Sequence, residues 1–71
     1  MEYLVVRFPR LRRVRIDGEF QGRTDELIEL EPGRHTVTLG PPANFAPAEQ
    51  IIILKQTSPL DPREVTFELA E

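Results

Sequence analysis

The chain has 71 residues, no cysteine, 39% apolar and 30% charged residues and a formal net charge of −3, spread as five arginines against one glutamate up to Arg15 and four bases against eleven acids thereafter. This length allows one domain, residues 1–71, whose core removes only about 60% of the unfolded chain's surface; without cysteine, disulfide staples, thiolate metal sites and a catalytic thiol are excluded. Apolar residues fall in short patterned runs, as in a folded domain, and the longest, Ile51 to Leu54, is far below the ~20 residues that span a bilayer, so no membrane insertion is expected.

From the N-terminus, EYLVVRF alternates Leu4, Val6 and Phe8 against Tyr3, Val5 and Arg7, the period of two of a strand. Pro9 cannot donate to a ladder and ends it. RVRID is a second strand, with Val14 and Ile16 on one face and Arg13 and Arg15 on the other. Asp17-Gly18 reads as a turn, because the Asp side chain bonds nearby amides and Gly tolerates positive φ; Gly22 is a further break. ELIEL sets Ile28 and Leu30 on one face, and Pro32 and Gly33 suit the two central positions of a type II turn. RHTVTL places His35, Val37 and Leu39 opposite Thr36 and Thr38, until Gly40-Pro41-Pro42 stops it. A proline-rich loop carrying Phe45 leads to QIIILK, whose β-branched residues predict a central, buried strand. After TSPLDPR, EVTFEL closes the chain with Val65, Phe67 and Leu69 inward.

The result is an all-β reading: six strands in a small β-sandwich or barrel with little or no helix. No stretch spaces apolar residues by three and four over a dozen positions, and seven prolines are scattered through the chain. The expected core is Val6, Phe8, Val14, Ile16, Leu30, Val37, Leu39, Ile53, Phe67 and Leu69.

Taken together, a strand and proline, V-R-I-D-G, a glycine four residues later, a threonine, an apolar strand, E-P-G-R-H-T-V-T-L, an aromatic-containing loop and two closing strands resemble the PEGA domain family over nearly the whole chain. Glu31-Pro32-Gly33-Arg34-His35 keeps the family's Pro-Gly and the histidine two residues later, though not the literal order of the name. Asp17-Gly18 matches the Asp-Gly pair, Thr24-Asp25 stands where the family has Thr-Pro, and Phe45 in an expanded loop stands for a Gly-Tyr. The resemblance implies a transthyretin-like or carboxypeptidase-regulatory-like β-sandwich. It also implies an accessory module of multidomain bacterial and archaeal proteins, with no catalytic residues to carry over.

Catalytic constellations are hard to build from these residues. His35 is the sole histidine, which rules out a multi-histidine metal site, and its parity with Val37 and Leu39 makes it a hydrogen-bonded packing residue. Ser58, the sole serine, lies in a proline loop with no glycine elbow. Glu29 with Glu31, and Glu64 with Glu68, share strand faces, but such pairs face solvent and a chain this short has little wall for a glycosidase cleft. The glycines form no phosphate loop. Phe45 is expected to cap the core, in preference to a polyproline-ligand role for its loop.

The feature least explained by packing is the arginine cluster Arg10, Arg12, Arg13 and Arg15. Clustered bases are a footprint of nucleic-acid binding. The competing expectation, and the favoured one, is that outward arginines pair with glutamates of a neighbouring strand and protect an edge.

The function expected is therefore a non-catalytic accessory module for protein interaction or spacing, with no cofactor and no metal. Its partner would be a protein, either a neighbouring domain or a second copy associating weakly. The alternative is weak anion or nucleic-acid binding through Arg10, Arg12, Arg13 and Arg15. A complete chain with this N-terminus is expected in the cytoplasm; a segment of a longer exported protein would lie outside it.

Overall fold

The computed structural model describes residues 1–70 and is all-β, with no helix among those residues. Its strands are β1 (Glu2–Arg7), β2 (Arg13–Ile16), β3 (Glu19–Arg23), β4 (Leu27–Leu30), β5 (Gly33–Leu39), β6 (Phe45–Ala46), β7 (Gln50–Leu54), β8 (Arg63–Thr66) and β9 (Glu68–Leu69). They form a three-stranded sheet in the order β4-β1-β8, a four-stranded sheet in the order β3-β2-β5-β7, and a small pair β6-β9. Only β1 and β8 run parallel; the other pairings are antiparallel.

Alternation dictates what each sheet turns inward. Leu4, Val6, Ile28, Leu30 and Val65 from the first sheet meet Val14, Ile16, Val37, Leu39, Ile52 and Leu54 from the second in one buried cluster with Phe8 and Phe67. Phe45 packs edge-on against Phe8 and Phe67, at ring-centroid distances of 6.4 and 5.7 Å, and so closes one side of the core. Gln50 adds a polar link between the two sheets by donating from Nε2 to the Thr66 carbonyl.

Among the described residues nine strands replace the six expected, for three local reasons. First, β3 forms from a stretch with no apolar alternation, all of it exposed; it pairs with β2 through a two-residue loop in which Asp17 and Gly18 both take positive φ (52° and 88°), the type I′ geometry that matches strand twist. Second, EVTFEL is not one strand. β8 adds to β1, Phe67 turns into the core with its N–H on the Arg7 carbonyl, and β9 pairs instead with β6. Leu69 is consequently half-buried where full burial was expected. Third, the Phe45 loop contributes β6 itself.

β7 differs most from expectation. It is an edge strand, not a central one, and Ile53 faces outward at 60% exposure while Ile52 and Leu54 are buried. Three successive isoleucines carry no alternation, so parity had to come from the pairing of His35 with Ile52.

Two small groups lock the connections. Thr24, the one buried polar side chain among the described residues, donates to the Arg10 carbonyl at 2.9 Å and accepts from the Arg12 N–H at 3.0 Å, which holds residues 10–12 against the start of β4. Gly22 has φ +87° and sits where any Cβ would fall 2.8 Å from Ile28 Cγ1.

Candidate functional site: the outer face of the four-stranded sheet

Register decides which side chains share this face, because directly paired residues point the same way. Arg13 is opposite Arg23, and Arg15 lies between Phe20 and Thr38; Thr36 is opposite Ile51, and Arg34 is opposite Ile53. The face therefore carries four arginines, one phenylalanine, two isoleucines and two threonines. No Asp or Glu occupies an outward register position among the described residues, in a chain of net charge −3.

Phe20 organises the basic side chains. The guanidinium carbons of Arg13 and Arg15 lie 3.9 and 4.6 Å from the centre of its ring, within cation–π range. The ring itself rests on Gly40, where a Cβ would come within 3.0 Å of Phe20 Cε1. The expected pairing of these arginines with glutamates is thus corrected: the cross-strand neighbours are Arg23, Phe20 and Thr38, and the cations stack on an aromatic ring.

The four clustered arginines do not act as a unit. Arg13 and Arg15 lie on the face, but Arg12 turns to the neighbouring loop, where Nη1 donates to the Gly40 and Pro42 carbonyls and to Asn44 Oδ1, and its guanidinium lies over Phe8 at 5.2 Å. Arg10 lies between β1 and β2, with its carbonyl bonded to Thr24. Arg23, Arg34 and Phe20 join the face although the sequence pattern did not single them out. Only β3 forming as a strand brings Arg23 and Phe20 there, and only the β5–β7 register brings Arg34 beside Ile53.

The turn residues build a separate polar cluster at the end of the same sheet. Asp17 accepts from the Thr36 N–H at 2.9 Å through Oδ1 and bonds His35 Nδ1 at 2.7 Å through Oδ2. His35 Nε2 lies 2.7 Å from the Glu31 carbonyl, so both ring nitrogens face acceptors and the doubly protonated ring satisfies both. Burial pulls the His35 pKa down, but the Glu31 carbonyl and Asp17 together outweigh it and the net shift is upward. Asp17 is shifted down, first by the Thr36 amide and then by His35. Pro32 sits at a bend and Gly33 takes φ +121°, with the Glu31 carbonyl engaged by His35.

Comparison with protein-family models, with curated proteins and with solved structures gives no match. Among the described residues no group of His, Cys, Asp and Glu could hold a metal ion, and no helix is long and apolar enough to cross a membrane.

Proposed function

We propose that this chain is a non-catalytic module for protein interaction or spacing, a PEGA-like β-sandwich of the transthyretin-like or carboxypeptidase-regulatory-like kind. The observation that carries this reading is the outer face of the four-stranded sheet, where Arg13, Arg15, Arg23 and Arg34 accompany Phe20, Ile51 and Ile53 with no carboxylate among them. Arginine, aromatic and exposed aliphatic side chains together are the composition of a protein-contact surface. Ile51 and Ile53 are 54% and 60% exposed, and burying them against a partner returns free energy that solvent does not. A single core shared by two sheets supports the sandwich.

The same cations favour a second reading, binding of nucleic acid or another anion. Phe20 weighs against it: it is the only aromatic on this face among the described residues, and Arg13 and Arg15 already lie over its ring. A titration with short oligonucleotides at low and high salt decides between the two. The interaction-module reading expects no binding at low salt. Micromolar, salt-sensitive binding that disappears in the Arg13→Gln/Arg15→Gln double variant would replace it with the nucleic-acid reading.

A further inference from the structure

Arg13 and Arg23 face each other directly across β2 and β3, and among the described residues neither has an ion-pair partner. Like charges in that position destabilise a sheet, and no carboxylate among the described residues neutralises either of them. The two side chains line an open groove of about 420 Å³ together with Leu11, Arg12, Gly40 and Pro41. Its walls are held in place: Arg12 is bonded to the Gly40 and Pro42 carbonyls, and Arg13 is seated on Phe20. No carboxylate of the described residues lines it.

We propose that this groove is a carboxylate-binding site, which takes an Asp or Glu side chain of a protein partner between Arg13 and Arg23. The inference rests on the interaction-module reading and names what the partner presents. A carboxylate offers two oxygens to the forked N–H donors of guanidinium groups, and it cancels the cross-strand repulsion. Part of the groove's lining is apolar: Leu11, 70% exposed, and Pro41. The aliphatic stem of an Asp or Glu side chain can cover these residues while its carboxylate reaches the guanidinium groups.

The test is a ¹⁵N-NMR titration of the chain at low salt with a short oligoglutamate peptide, and in parallel with oligothymidylate, repeated on Arg23→Gln and Arg23→Lys. The expected result is shifts centred on Leu11, Arg13, Arg23 and Gly40 with oligoglutamate, about tenfold weaker binding in Arg23→Gln, and an intermediate affinity in Arg23→Lys, which keeps the charge but not the fork. Thermal melts supply an independent readout. Removing the repulsion should leave Arg23→Gln at or above the parental melting temperature, and a clear drop would show Arg23 to be a structural residue and overturn the proposal. Peptide shifts confined to Thr36, Ile51 and Ile53 and unaffected by Arg23→Gln would overturn the groove while leaving the interaction face standing. Preferential binding of oligothymidylate would overturn both.

Discussion

The outer faces of the two larger sheets handle arginine in opposite ways. On the β4-β1-β8 sheet Arg7 sits between Asp25 and Glu64, 3.1 Å from each, and its charge is met inside the domain. On the β3-β2-β5-β7 sheet Arg13 and Arg15 find a phenylalanine, and Arg13 and Arg23 find each other. Acidic residues are plentiful in the chain, eleven of them after Arg15, yet none of the described ones takes an outward register position on this sheet. The first face is therefore closed, its arginine met by carboxylates of the same domain, while the second is open, its outward arginines beside no carboxylate among the described residues.

The largest test of this contrast removes the core on which both faces rest. Phe67 packs against Phe45 beneath both sheets, and truncating it to alanine should cost about 3–5 kcal/mol, enough to unfold a domain of this size. Circular-dichroism melts should show no cooperative transition; a parental melting temperature would break the single-core description. Next is Thr24→Val, which strands the Arg10 carbonyl and the Arg12 N–H that set the entry to β2; a loss of about 1–3 kcal/mol is expected in urea titrations.

A smaller effect is expected from pH. His35 has a raised folded pKa, so its contribution is fully present below its ordinary value of 6.5 and is lost as pH rises through the folded value. Asp17 is lowered, so its contribution is present above its ordinary 3.8 and is lost as pH falls through the folded value. Urea midpoints should therefore be higher near about pH 5 than near about pH 8, and His35→Phe should flatten that difference. An unchanged pH profile in the variant would remove the Asp17–His35–Glu31 cluster as its cause.

The smallest stability effect sharpens the comparison itself. Arg13→Gln with Arg15→Gln forfeits cation–π contacts, each about 0.5–1 kcal/mol, and should leave a cooperative fold that keeps the parent's salt sensitivity, because the Arg7 ion pairs are intact. Arg7→Gln, on the closed face, should instead remove part of the parent's salt sensitivity, since exposed ion pairs are screened. If instead the double variant lost the parent's salt sensitivity and Arg7→Gln kept it, the assignment of closed and open faces would be reversed.

The all-β class, six of the strand segments, the Asp17-Gly18 turn and most of the core follow from the sequence alone, because alternation and turn chemistry are local and each residue carries its own signal. Leu4, Val6, Phe8, Val14, Ile16, Val37 and Leu39 are buried as their parity requires. The buried side and hydrogen bonding of His35 were legible for the same reason. Where local signals were silent, only tertiary structure could decide. The run Ile51-Ile52-Ile53 has no intrinsic parity, so pairing with β5 chose Ile52 for the core and left its neighbours exposed on an edge. β3 has no apolar pattern and exists because β2 offers it a hydrogen-bonding edge across a type I′ turn. The candidate site was legible in part: Arg13 and Arg15 were visible as outward residues, but Phe20, Arg23 and Arg34 reach them through cross-strand register, which no single segment encodes.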